Sequence, residues 1–363
     1  MPPATDAPAR TAGMSRFERL PWRKIVLVVL GITIVAIVAI GGFRTITNDA
    51  YSGARWRDFV ILGIAQGSIY ALIALGYTLV YGILRMINFA HGEVFMAGAF
   101  GSYFFADAYA ESGFLERHPL PAIGIVLLVA IATSVGVALL LERVAYRPLR
   151  GAPRLVPLIT AIGASLFLQN TARALFGPGT KGFPKPEIVV GTYTILGVEF
   201  GRLQVVVFLV AATAVVLLSL FVARTTTGKS MRAVAEDSEI ASLMGIDVDR
   251  VIVVTFAIGG ILAGIAGVLF AMTFSGVNFF MGVIPGIAAF TAAVLGGIGS
   301  ISGAAIGGLV LGLLESLGPA FVLTGYEIPS PFQLKNAFTF LVLVLVLIFR
   351  PGGILGTGDA EKV

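Results

Sequence analysis

Ten apolar runs separated by short polar segments make up most of this chain, and their lengths predict its architecture. The runs are Ile25–Gly42, Phe59–Leu84, Ile87–Tyr109, Pro121–Leu141, Leu155–Phe176, Leu203–Ala223, Val251–Ala271, Val283–Gly297, Ile301–Leu317 and Asn336–Phe349. Several reach the roughly 20 residues that carry a helix across a hydrocarbon core of about 30 Å. Val283–Gly297 and Ile301–Leu317 are shorter and are joined only by the turn Ile298-Gly299-Ser300, which leaves open a Gly-rich helical hairpin that fails to span fully. The expected fold is therefore all-α and polytopic, with about eight to ten transmembrane helices. Between Gly177 and Arg202 the alternation of Ile188, Val190, Tyr193 and Ile195 predicts a small hairpin on the outer side.

One long polar stretch, Arg224–Arg250, interrupts this pattern between two close-set spans. Ser230 is a candidate N-cap and Gly245 a candidate C′ residue, enclosing one helix or two short ones. At 100° per residue, Ala233, Ile240, Leu243 and Met244 share a side, with Arg232 and Glu239 away from it. Such a face either lies on the membrane and its own spans or docks into a groove of a soluble partner. Ala223-x4-Gly228-Lys229-Ser230 has the outline of a phosphate loop. It follows a span rather than a strand, so Lys229 and Arg224 read as membrane-surface anchors instead.

Composition agrees with the pattern. The chain is 57% hydrophobic and 12% charged, half the charged share of an ordinary soluble domain. The net charge of +5 reflects sidedness, and no nucleic-acid partner is expected. With a cytoplasmic amino terminus and alternating crossings, 16 Lys and Arg fall inside, 8 outside and Arg173 within a span, as the positive-inside rule requires. Both ends and Arg224–Arg250 then lie in the cytoplasm. Residues 1–24 read as a disordered segment, rich in Pro, Ala and Arg. Ile25–Gly42 could begin a signal peptide cut near Ala39-Ile40-Gly41, but it is long for one and is expected to persist as a span. The chain has no cysteine and two histidines, so neither a disulfide nor a metal site is predicted.

Polar residues inside the spans are the remaining candidates. Asn88, His91 and Glu93 fall in the first turns of the third run, where ionisable groups are costly and often functional. They either line a translocation path, with a proton relay as its sharper form, or cap the helix and bond to its neighbours. Gly296, Gly297 and Gly299 sit in the hairpin turn, whose open amides could meet a substrate carboxylate or simply form a tight bend. Arg173 and Glu315 could pair, although Arg173 more simply reaches for the outer interface. Gly63/Gly67, Gly260/Gly264, Gly303/Gly307 and Gly308/Gly312 are small-xxx-small packing sites. No catalytic constellation is present, so the chain is not expected to be an enzyme.

Three stretches carry a family resemblance: Tyr70–Phe100 (YALIALGYTLVYGILRMINFAHGEVFMAGAF), Glu142–Arg150 (ERVAYRPLR) and Phe290–Glu315 (FTAAVLGGIGSISGAAIGGLVLGLLE). With the cytoplasmic segment Ala233–Ile246 (AVAEDSEIASLMGI), they resemble the H-type permease of the leucine/isoleucine/valine importers. The resemblance spans residues 58–356, leaving residues 25–57 as an additional span and external linker and 357–363 as a cytoplasmic tail. It implies a bacterial plasma-membrane permease that translocates branched-chain amino acids delivered by an external binding protein. It further implies a homologous second permease subunit, two ATPase subunits that use the ATP, and no cofactor bound by this chain. Within the cytoplasmic segment, Arg232, Ala235, Glu236, Asp237, Ala241 and Gly245 are the implied ATPase-coupling residues. Urea, short-chain amide and other amino-acid importers have similar permeases, and a secondary transporter would need no ATPase.

Overall fold

The computed structural model describes residues 22–355 apart from Arg154, Leu196 and Pro351. The expected disordered segment falls outside these residues up to position 21, as does the tail at 357–363. The described residues form two compact units, 51–320 with 330–355, and 22–50 with 321–329.

In the smaller unit, α1 (Trp22–Thr47) begins three residues before the expected span and runs without a break through Ala39–Gly41. Gly41 and Gly42 let its backbone approach the 321–326 segment closely. A Cβ at Gly42 would lie 2.1 Å from the Phe321 ring, and one at Gly41 2.5 Å from the Val322 carbonyl. The Thr45 hydroxyl donates to the Phe321 carbonyl (3.0 Å) and Tyr326 to that of Ile37 (3.0 Å), satisfying polar groups that lipid cannot.

The larger unit follows the apolar runs. Its helices are α2 (Gly53–Leu84), α3 (His91–Glu111), α4 (Phe114–Arg117), α5 (Pro119–Leu141), α6 (Leu155–Phe176), α7 (Arg202–Arg224), α8 (Thr226–Glu236), α9 (Ser238–Leu243), α10 (Val248–Phe274), α11 (Val283–Gly296), α12 (Ile301–Gly318) and α13 (Lys335–Phe349). Among the described residues, eight helical stretches are long and apolar enough to cross a membrane. With 14 residues, α11 reaches only about 21 Å, short of the core thickness. The expected outer hairpin forms from β2 (Thr192–Ile195) and β3 (Val198–Gly201); Ile188 and Val190 lie outside it. A second two-stranded pairing joins β1 (Lys181–Gly182) to β4 (Gly276–Val277).

The buried centre is α2, α10 and α3, with α5 and α12 packed around them. All four glycine pairs work as helix contacts. Gly63 and Gly67 of α2 meet Gly308 and Gly312 of α12, where a Cβ on Gly312 would start 2.3 Å from the Gly67 backbone. Gly260 and Gly264 of α10 abut α5 at Val135 and Ala130, and Gly303 and Gly307 of α12 abut α11. Lipid offers no hydrophobic drive to bring helices together, so close backbone contact and dispersion must supply it.

Two helices begin beside other helices rather than at the ends of a span. Arg85 ends α2 in the left-handed region (φ 53°), and the chain returns along α2 without helical structure until His91. His91 packs on Gly76, so α3 starts about 12 Å in from the end of α2 at Leu84. Ser275 ends α10 in the same way (φ 55°). The segment that follows places Gly282, just before α11, against Gly92 and Glu93 of α3.

Candidate functional site

The polar stretch Arg224–Arg250 forms two helices broken at Asp237. The N-cap is Thr225, not Ser230, because the Thr225 hydroxyl accepts from the Gly228 amide (3.0 Å). Gly228 is helical and pressed on the carbonyls of Phe221 and Val222, so the phosphate-loop outline is a helix–helix corner. Asp237 ends α8 and caps α9, its carboxylate accepting from the amides of Glu239 and Ile240 (both 2.9 Å). Gly245 occupies the predicted left-handed position (φ 84°). Its amide donates to Ser242 and that of Ile246 to Ala241, a Schellman ending that satisfies two carbonyls. Asp247 then caps α10 through the Arg250 amide (3.0 Å).

The inner side of this pair is anchored. Met231, Val234 and Ala241 are buried, Arg85 donates to the Ala235 carbonyl (2.9 Å), and Arg232 donates to the Val222 carbonyl. Its outer side is bare: Ile240 is 60%, Leu243 86% and Met244 78% exposed. Glu236 and Asp237 are exposed beside them. Of the implied coupling residues, Arg232 and Ala235 thus attach α8 to the spans, Asp237 and Gly245 set the shape of α9, and Ala241 packs inward.

Glu142–Arg150 forms a neighbouring brace. A wide helical turn at Glu142–Tyr146 passes into a tight turn at Arg147–Leu149. Arg147 pairs with Asp249 at the start of α10 (2.6 Å), and Arg150 bridges Asp249 and the buried Glu142. The Tyr146 hydroxyl bonds the Asn88 side chain (2.6 Å). Asn88 therefore does not cap α3, whose N-cap position is Ala90. It fixes the returning segment 85–90 to the end of α5.

His91 and Glu93 open α3 beside Gly76 and Tyr77 in the interior of α2, because the chain turns back at Arg85 before the helix begins. Both are buried. His91 packs between Gly76, Gly259 and the Tyr77 ring (5.0 Å), and its Nε2 has no hydrogen-bond partner among the described residues. Glu93 Oε1 accepts from Gln169 (2.8 Å) and Ser165 (3.1 Å) of α6. Beside it is a cavity of about 180 Å³ bounded by Tyr77, Phe89, α6 and the first turn of α11. Ser165 and Gln169 were not among the sequence candidates, although two polar residues four apart in an apolar span mark one helical face.

Gly296, Gly297 and Gly299 do not join this group. Their turn lies beside α8, where Gly299 shares a cleft of about 80 Å³ with Met231, Arg232 and Ala235. Its polar groups are largely used: the Gly297 amide bonds Ala293, the Leu295 and Gly296 carbonyls accept from Ile354 and Leu355, and the Ser300 hydroxyl caps α12 at Gly303. A Cβ on Gly296 would fall 1.9 Å from the Gly303 carbonyl, so close helix contact accounts for that glycine. Arg173 and Glu315 also stay apart. Arg173 lies over the Phe279 ring (5.5 Å), while Glu315 accepts from Tyr70 (2.7 Å), Gln66 (2.8 Å) and Thr339.

The family model described as "Branched-chain amino acid transport system / permease component" matches residues 59–347. The high-affinity branched-chain amino acid transport system permease protein LivH of Escherichia coli K12 is 44% identical over 304 residues, 83% of this chain and 96% of the relative. BraD of Pseudomonas aeruginosa, with the same description, is 43% identical over 311 residues, covering 84% and 97%. A probable LivH of Methanocaldococcus jannaschii is 26% identical over 316 residues, 83% and 92%. α1 precedes the family match, whereas the α8–α9 pair and the Glu93 cavity lie inside it. The chain belongs to the family of branched-chain amino acid transport system permease components, which are transport proteins of the membrane.

Proposed function

We propose that this chain is the translocating permease subunit of an ATP-driven importer of branched-chain amino acids in a bacterial plasma membrane. It works with a second, homologous permease, two ATPase subunits and an external binding protein. The observation that carries this reading is the match over 96% of the LivH relative, which includes the α8–α9 segment. The bare Ile240, Leu243 and Met244 face then has an occupant, a groove of the ATPase subunit. Motion enters where Arg85 and Arg232 tie α8 to α2 and α7. ATP drives transport only if the ATPase binds one permease conformation better than another.

Uptake of labelled leucine and labelled urea, measured side by side in a strain lacking the chain and then complemented, tests this reading. Complementation restores energy-dependent leucine uptake and leaves urea uptake unchanged. Restored urea uptake without leucine uptake would refute the substrate, and uptake that persists without the ATPase subunits would refute the class.

A further inference from the structure

We propose that the cavity between α6 and the first turns of α3 and α11 is a membrane-embedded subsite for the substrate, with Glu93 as counter-ion to its ammonium group. The proposal deepens the amino-acid importer reading and rests on it.

Glu93 is 1% exposed, and its two carboxylate oxygens have different fates. Oε1 takes both hydrogen bonds from α6, whereas Oε2 is buried against Gly282 with no hydrogen-bond partner, at the edge of the cavity that Glu93 helps to line. A bare buried carboxylate oxygen is costly; the positive end of α11 at Gly282 offsets part of that cost, but no Lys or Arg lines the space. A cationic ligand group is the missing partner. At about 180 Å³ the cavity is many times larger than one water requires, and Phe89, Ile162, Leu166 and Ile287 give it apolar walls. Those walls suit an aliphatic side chain attached to the ammonium.

The opposite charge is also provided for. Val283 and Gly286, in the first turn of α11, face the same space. The amides of Val283 and Gly286 already donate to the carbonyls of Phe280 and Gly282, and position 285 is proline, so it is the positive end of the helix dipole and not a set of free amides that favours a carboxylate here. Glycine keeps the room open: a Cβ on Gly282 would lie 2.7 Å from Glu93 Oε2. The ligand class is thus a small zwitterion with a branched or linear apolar side chain, its ammonium on Glu93 and its carboxylate toward α11. Ile162 and Leu166 are about half exposed, so the cavity opens past α6.

The test uses the permease assembled with its partner subunits in nanodiscs, without the external binding protein, and tritiated leucine as probe. Leucine displaces the label, and 4-methylpentanoic acid, the same skeleton without the amine, does not at large excess. Glu93→Gln weakens leucine binding by about thirtyfold or more, the scale for removing one partner of a buried charge pair. Leu166→Trp, which fills the cavity from the exposed side of α6, also weakens it and serves as the deciding variant where Glu93→Gln does not assemble. Unaltered binding in Leu166→Trp, equal displacement by 4-methylpentanoic acid, or leucine import in cells with no binding to the wild-type assembly would each overturn the subsite while leaving the importer reading standing. Failure of the wild-type chain to import leucine would overturn both.

Discussion

Glu315 is the most committed polar residue in the larger unit. It is 1% exposed and holds together α2, through Gln66 and Tyr70, and α13, through Thr339. Tyr70→Phe removes one donor from a buried carboxylate, an expected loss of about 1–3 kcal/mol in thermal unfolding of the detergent-solubilised protein. In a Glu315→Gln background the same substitution should cost clearly less, because the two residues share one network. Strict additivity would show that the contact contributes nothing. The sequence marked Glu315 as a costly group and offered Arg173 only as a possible partner, with an interfacial place for Arg173 the simpler reading; charge is visible in a sequence and the neutral donors of a distant helix are not. Arg173 sits on an exposed face of α6 over Phe279. The neutral donors that serve Glu315 are 245 to 249 residues away or 24 residues on, and no local spacing points to them. Ser165 and Gln169 were readable as one face, but their target on α3 was not.

At the scale of elements, apolar run length located the spans to within a few residues, and glycine spacing located the crossings. Both depend on short-range chemistry: the period of the helix and the absence of a Cβ. The α2–α12 crossing gives a direct check. Gly312→Leu must displace the Gly67 backbone, and is expected to cost at least about 2 kcal/mol and to lower the yield of monodisperse protein. Gly163→Leu on α6, with nothing within 4 Å of a Cβ, should be tolerated. Equal behaviour of the two would mean that the crossing is not tightly packed. The depths of α3 and α11 were not legible. The run Ile87–Tyr109 gives no sign that its first four residues return unwound beside α2, because the reversal depends on one left-handed residue, Arg85, and on the Tyr146–Asn88 bond from another span. The Gly296–Gly299 turn was legible, but its place beside α8 was not, because that depends on how α11 and α12 pack against distant parts of the chain.

At the scale of the whole molecule, the question is how a transport protein of this family is driven. The α8–α9 pair joins an anchored inner side to a bare outer side, and the two should fail differently. Replacing both Leu243 and Met244 by Asp leaves the spans untouched, since both side chains are almost free of contacts, but puts charge where a groove would close. The expected outcome is loss of ATPase co-purification with normal yield of the permease. Arg85→Ala instead cuts the tie from the α2 end to the Ala235 carbonyl while the outer face stays intact. There the ATPase should still co-purify and still hydrolyse ATP, with leucine uptake per ATP falling. Gly245→Pro belongs with the first class, because proline can neither donate to Ser242 nor adopt φ near 84°, so α9 loses its ending and the Leu243–Met244 face its shape. If Leu243 and Met244 carrying Asp left both co-purification and uptake unchanged, the apolar face would be a membrane-surface contact rather than the docking site. Coupling would then have to enter through another cytoplasmic segment, for which the Arg147–Asp249–Arg150–Glu142 brace is the remaining rigid candidate.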